Sequence, residues 1–219
     1  MKLKAVVFDF DGTLLNTFEH IVRAFEVVLP KYGVKPDREA IRRVIGMTLI
    51  DCYKTLVPNG DHEAMKKLHH ETQQTPEMYE LILAYDNLRE TLETLREQGI
   101  KLAVQTNRGR KSVDLIFAHI GLADLFDYVM TADEIDNPKP DPKGLIFIAK
   151  EFSIKTSEMV MVGDMPIDVK TGQNAGVAAI IGMTHGFGTR AELESAGASY
   201  ILDSFAGLPS VITRLQEKK

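Results

Sequence analysis

The sequence predicts an α/β fold, a doubly wound parallel sheet interrupted early in the chain by an all-helical insertion. Three observations carry this reading. From Leu88 onward, short apolar runs alternate with stretches of helical periodicity, and parallel neighbours joined by crossovers require that alternation. One more run of the same kind, Ala5-Val6-Val7-Phe8, opens the chain. Between Leu15 and about Ala84 there is helical spacing and no convincing strand. Residues 1–14 and 85–219 are therefore assigned to the α/β core and residues 15–84 to a helical cap. The insertion leaves just after the first strand and returns before the second, which sets it above the strand ends.

Taken in order, Phe18, Ile21, Val22, Phe25, Val28 and Leu29 form one stripe of a helix that starts near Thr17 and stops near Pro30. Asp37 is placed to cap a helix through Ile41, Val44 and Ile45, ended by Gly46. Leu49, Tyr53 and Leu56 mark a short helix, and a longer helical stretch runs from about His62 until Pro76 breaks or restarts it. Leu88, Leu92 and Leu95 face one way on a helix closed by Gly99. Lys101 to Gln105 is a strand that delivers Thr106-Asn107, and Val113, Ile116, Phe117 and Ile120 outline a helix stopped by Gly121. Asp127 to Thr131 is a strand, and Asp141 and Pro142 read as N-cap and first residue of a helix through Leu145 to Phe152. Met159 to Val162 is a strand running into Gly163-Asp164, after which Pro166 opens a helix. Val177 to Ile181 is a strand, Ala191 to Ala196 a helix, Tyr200 and Ile201 a last strand, and Phe205 to Leu215 the closing helix.

Composition narrows the function. Across 219 residues, 44% are hydrophobic and 26% charged, as in an ordinary globular protein, and the net charge of −5 works against nucleic acid and anionic membrane as partners. Lys2 and Lys4 precede an apolar run, but Asp9 and Asp11 interrupt it too early for a secretory segment. No stretch approaches the roughly 18 apolar residues of a membrane span. The single cysteine, Cys52, has no internal disulfide partner, so a reducing cytoplasm is the expected compartment.

Four strand ends carry the chemistry. Asp9 and Asp11 follow the first strand, Thr106 and Asn107 the second, Lys139 comes shortly after the third, and Asp164 with Asp168 follows the fourth. Any one of them alone is an ordinary turn, cap or surface residue. In a parallel sheet these ends lie side by side, where open α/β sheets bind ligands. Together they supply what phosphoryl transfer needs: a nucleophile, an acid, phosphate-oxygen donors, a cation and a metal seat. Two carboxylates would repel a phosphate monoester, so such a site works only with cations present.

On Asp9-Phe10-Asp11-Gly12-Thr13, Thr106-Asn107, Lys139-Pro140 and Gly163-Asp164 with Asp168, the chain resembles the haloacid dehalogenase superfamily, in its magnesium-dependent phosphatase branch with a small helical cap. The resemblance implies that Asp9 attacks phosphorus to form an aspartyl-phosphate, and that Asp11 protonates the leaving alcohol and then activates water. It implies Mg²⁺ held by Asp9, the Asp11 carbonyl and Asp164, with Asp168 acting through a water or from behind. It further implies phosphate contacts from the Phe10-Gly12-Thr13 segment, the Thr106 hydroxyl, the Asn107 backbone and Lys139. Gly186-Phe187-Gly188-Thr189-Arg190-Ala191-Glu192-Leu193, with Ala196-Gly197-Ala198, resembles the phosphoglycolate phosphatase subgroup. His185, Asn16-Thr17 and Tyr85-Asp86-Asn87-Leu88 depart from that subgroup and leave the substrate open.

The expected function is Mg²⁺-dependent hydrolysis of a small phosphorylated metabolite, phosphoglycolate or similar, by a monomer or homodimer. The alternatives are a β-phosphoglucomutase-like mutase and a non-catalytic phosphate-binding module. A mutase histidine is expected where Ile21 stands, one position after His20. A phosphonoacetaldehyde hydrolase would need a cap lysine, for which Lys54 is the nearest proposal and an exposed helix lysine the ordinary reading. His62, His69, His70 and His119 read as surface or structural residues, and Gly46-Met47-Thr48 as a loop dipping toward substrate or as a plain turn.

Overall fold

The computed structural model describes residues 3–217, so Lys2 lies outside the described residues. Its centre is a six-stranded parallel sheet of β1 (Ala5–Phe8), β4 (Lys101–Gln105), β5 (Tyr128–Met130), β6 (Met159–Gly163), β7 (Ala179–Met183) and β8 (Tyr200–Leu202), in the order β5-β4-β1-β6-β7-β8. All four β1 residues are buried because both faces of the sheet are covered. Successive side chains alternate between the faces. Val6 and Phe8 join the cluster of α6 (Leu88–Glu97), α7 (Arg110–Ile120) and α11 (Leu208–Glu217), represented by Leu92, Phe117 and Ile212. Ala5 and Val7 instead meet Leu145 and Ile148 of α8 (Lys143–Glu151). On that same side α9 (Pro166–Ala175) packs on β6 and β7 and on α10 (Arg190–Ala196).

Strand order reverses about β1, and the carboxyl ends of β4, β1 and β6 meet at this switch point. Those three strands deliver Thr106, Asp9 and Asp164.

The segment after β1 folds as α1 (Phe18–Val28), α2 (Arg38–Val44), α3 (Leu49–Leu56), α4 (His62–Gln73) and the short α5 (Pro76–Tyr79). Its helices share a hydrophobic cluster of their own, built on Val22, Phe25, Ile41, Tyr53 and Met65, into which the core loop residue Phe187 also inserts. Asp37, Thr48 and Asp61 cap α2, α3 and α4 by accepting backbone N–H bonds.

Several sequence expectations are corrected. Leu15–Asn16 (β2) and Leu83–Ala84 (β3) form an antiparallel pair in the stretch read as strandless, one at each end of the helical segment. Two-residue strands show no periodicity from which they could be read. Pro30 does not stop the chain's turning, because it sits at the start of a 3₁₀ turn, Leu29–Tyr32, where a missing N–H is tolerated. Pro142 occupies the N-cap position of α8, one residue earlier than expected, with Asp141 accepting from the Lys143 N–H. β7 begins two residues later than expected, at Ala179, and α11 begins only after a 3₁₀ turn at Phe205–Gly207. Among the described residues no helix is long and apolar enough to cross a membrane.

Candidate active site

Asp9 leaves β1 with its N–H bonded to the Val162 carbonyl of the adjacent β6, which fixes the carboxylate at the switch point. Lys139 Nζ lies 2.5 Å from Asp9 Oδ1 and 2.6 Å from Asp168 Oδ1, and its side chain is 1% exposed. Asp164 follows β6, with Thr13 Oγ1 donating to Oδ1 at 2.6 Å and the Phe187 N–H to Oδ2 at 2.7 Å. Asp168 sits in the first turn of α9, where its Oδ2 accepts from the Met165 N–H. One oxygen from each of Asp9, Asp164 and Asp168 falls within 4.8 Å of the others.

Three buried carboxylates facing one ammonium are short of positive charge. Burial, with Asp168 beside it, pushes the Asp9 carboxyl up to about 7 against the pull of Lys139. Burial and the Asp168 and Asp9 charges likewise raise Asp164 well above the carboxylate range. Burial opposes the charge on Lys139, yet Asp168 and Asp9 hold it firmly protonated. An all-oxygen donor set with excess negative charge suits a hard divalent cation, so these residues fit Mg²⁺.

Asp11 faces a different neighbour. Arg108 Nε donates to Asp11 Oδ2 at 2.9 Å and Nη2 to Oδ1 at 2.8 Å, while Nη1 donates to Ser112 Oγ. Thr17 Oγ1 adds a 2.7 Å bond to Asp11 Oδ1. Burial works to raise the Asp11 carboxyl, but the guanidinium and these hydrogen bonds outweigh it and hold the group below its ordinary value. The direction is decided by Arg108, a residue that sequence reasoning missed. Arg108 directly follows the Thr106-Asn107 pair, and that adjacency was the available signal.

Thr106 Oγ1 accepts from the Arg108 N–H, setting the turn that aims Arg108 inward. Asn107 fastens two loops at once. Its Nδ2 donates to the Gly46 and Lys139 carbonyls and its Oδ1 accepts from the Lys139 N–H.

Several groups of the Phe10-Gly12-Thr13 segment have partners within the fold. Phe10 is fully buried against Phe117, the Gly12 N–H bonds the Leu15 carbonyl, and the Thr13 hydroxyl is spent on Asp164. Gly12 has φ +82°, and a Cβ there would lie 2.3 Å from Asp164 Oδ2, so its lack of a side chain makes room for the acid. Gly186 and Gly188 wrap the same residue, with Cβ positions 2.3 Å from Asp164 Oδ2 and 2.2 Å from its carbonyl oxygen.

A cavity of about 90 Å³ separates this edge from the helical segment. Asp9, Asp11, Thr106, Asn107, Arg108 and Lys139 form its floor, while Ile21, Phe25, Ile45, Gly46, Met47, Leu49, Cys52, His69, His70 and Gln73 close it from above. Gly46 and Met47 therefore do reach the cavity, whereas Thr48 caps α3. His69 and His70, read from the sequence as surface or structural residues, line it as well, because α4 folds back over the site. His69 Nδ1 lies 2.8 Å from the Tyr53 hydroxyl, and burial keeps the ring neutral. His20 packs against Gln73 and is absent from the wall, His62 bonds the Val57 carbonyl, and His119 packs on Tyr79. Lys54 is exposed and paired with Asp51.

The haloacid dehalogenase-like hydrolase family model matches residues 6–181 of the chain. The chain is similar to the pyrophosphatase PpaX of Bacillus mycoides, at 31% identity over 219 residues, covering 98% of this chain and 99% of that one. To the PpaX of Halalkalibacterium halodurans it is 33% identical over 225 residues, covering 97% and 98%. Among solved structures it is similar to a haloacid dehalogenase-like hydrolase from Bacteroides fragilis, with TM-score 0.87, 26% identity and coverage of 94% of this chain and 100% of that one. A predicted phosphatase from Clostridium acetobutylicum superposes with TM-score 0.84 at 25% identity, covering 98% and 100%.

Proposed function

The chain belongs to the haloacid dehalogenase-like hydrolase family, and on that premise we propose that it is a cytoplasmic Mg²⁺-dependent phosphatase working through an aspartyl-phosphate on Asp9. Phosphatase action on small phosphate substrates is its activity; the metal, the intermediate and the substrate are the proposal. The observation that carries it is the buried Asp9 carboxylate, held 2.5 Å from Lys139 on the floor of a cavity with Asp11 beside it.

Asp9, Asp164 and the Asp11 carbonyl would hold Mg²⁺, which when bound offsets the acids' charge and draws electron density from the phosphoryl group. Lys139 keeps one Asp9 oxygen oriented and adds a positive charge where the anionic substrate must approach. Asp9 then attacks phosphorus, and the leaving oxygen departs toward Asp11. As paired with Arg108, Asp11 is ionised and suited to the second half, taking a proton from the water that cleaves the aspartyl-phosphate. For the first half it donates a proton only after Arg108 has turned away. The helical segment excludes water during aspartylation.

Phosphate release is to be measured with and without Mg²⁺ on inorganic pyrophosphate, 2-phosphoglycolate, sugar phosphates and nucleotides, with Asp9→Asn as control. Release that needs Mg²⁺ and falls at least about 1,000-fold in Asp9→Asn is expected. Release that persists in Asp9→Asn would exclude the aspartyl-phosphate.

A further inference from the structure

Arg108 has a geometry that exceeds the needs of an ion pair. Its side chain is 8% exposed, yet it lies on the cavity wall, presenting its Nε and Nη2 N–H groups side by side to one carboxylate as a fork. A guanidinium fork is matched to any carboxylate or phosphate, and nothing in that match is particular to Asp11.

The other charges on the wall are already taken. Lys139 is bonded to Asp9 and Asp168, which leaves Arg108 as the only other lysine or arginine lining the cavity among the described residues. Above it the wall is mainly apolar, with Ile21, Phe25, Ile45, Leu49 and Cys52. A second negative charge on a substrate therefore has one favourable place to go. Arg108 and Lys139 line the same cavity of about 90 Å³, so the two anionic groups they would receive stand close together on one molecule.

We propose that Arg108 is a substrate-binding, specificity-determining residue that receives a second anionic group, carboxylate or phosphate, carried on a short bridge from the transferred phosphoryl group. In the structure the Asp11 carboxylate occupies the fork in place of that anion. Entry of the substrate exchanges one fork partner for another, so the guanidinium never faces the cavity unpaired. This rests on the phosphatase reading above and narrows it to compact doubly anionic substrates.

The test compares small substrates that differ in whether they carry a second anionic group. Ethyl phosphate and 2-phosphoglycolate share a two-carbon skeleton, and pyrophosphate carries a second phosphate in place of the carboxymethyl group. Their kcat/KM values are measured with Mg²⁺ for the wild type, Arg108→Gln and Arg108→Lys. The wild type is expected to prefer one or both of the compounds with two anionic groups over ethyl phosphate. In Arg108→Gln that preference falls on the order of 100-fold, chiefly through KM, and Arg108→Lys retains part of it. A preference ratio does not depend on how much of a variant is folded. A fall confined to 2-phosphoglycolate or to pyrophosphate supports the proposal and identifies the second group. An unchanged ratio, with all three rates falling together, overturns it, since Arg108 then serves only to orient Asp11; the phosphatase reading survives that result. Absence of Mg²⁺-dependent release by the wild type from any compound overturns the phosphatase reading itself, and this proposal with it.

Discussion

At the scale of single residues, the site shows how neighbours decide what an acid can do. Asp9 and Asp11 stand two apart in sequence, yet burial among acids raises one and an arginine fork lowers the other. Gln105 presents the opposite case, a polar side chain with nothing to do. It is 1% exposed at the end of β4, and neither Nε2 nor Oε1 has a hydrogen-bond partner. Gly144 of α8 is what admits it, since a Cβ there would lie 2.3 Å from Gln105 Nε2. Burying an unpaired amide costs about 1–3 kcal/mol, so the similarly shaped Gln105→Met is expected to stabilise the protein by about 1 kcal/mol or more in urea unfolding. A loss of stability would show that the amide is satisfied in solution. Neither acid's shift nor the idle amide could be read along the chain, because each depends on what packs around it.

At the scale of elements, the helical segment carries a buried neutral histidine network that ties its stability to pH. Burial, reinforced by the Arg108 charge, lowers His20 to about 4 from the ordinary 6.5. Between those values the unfolded chain takes up a proton that the folded chain refuses, so stability falls as pH drops through that window. Well inside it the loss is about 1.4 kcal/mol per pH unit for His20, and buried His69 acts in the same direction. Asp9 and Asp164, raised by burial, act oppositely, gaining stability as pH falls. Comparing wild type with His20→Gln removes their shared contribution. The wild type is expected to lose about 1–2 kcal/mol more than His20→Gln between pH 7.5 and 5.5, measured by denaturant titration in Mg²⁺. Equal losses would mean that His20 protonates within the fold. That α4 lies over the acids was not legible from its sequence, since amphipathic spacing reports which face is buried and not what it is buried against.

At the scale of the whole molecule, sheet and helical segment meet at one charge-deficient point, and a cation bound there should stabilise the assembly. Mg²⁺ at about 100 times its dissociation constant adds about 2.7 kcal/mol, which in a chain of this size raises the melting temperature by roughly 5–10 °C. Asp164→Asn is expected to lose most of that shift. A Tm indifferent to Mg²⁺ would place the cation, if any, away from the three acids. Closure is further linked to the core through Arg42, which donates to the Phe187 carbonyl, while the Phe187 N–H binds Asp164. The sequence by itself determined the alternation of strands and helices and the strand ends that carry Asp9, Thr106, Lys139 and Asp164, because periodicity and turn chemistry are local properties that survive in one dimension. Only the tertiary structure decided that Arg108 clamps an acid 97 residues away, that Gly12 and Thr13 support Asp164, and that two-residue strands pair across the helical segment. Those outcomes depend on which distant groups the fold brings within hydrogen-bonding reach, and hydrogen bonds between remote residues leave no pattern along the chain.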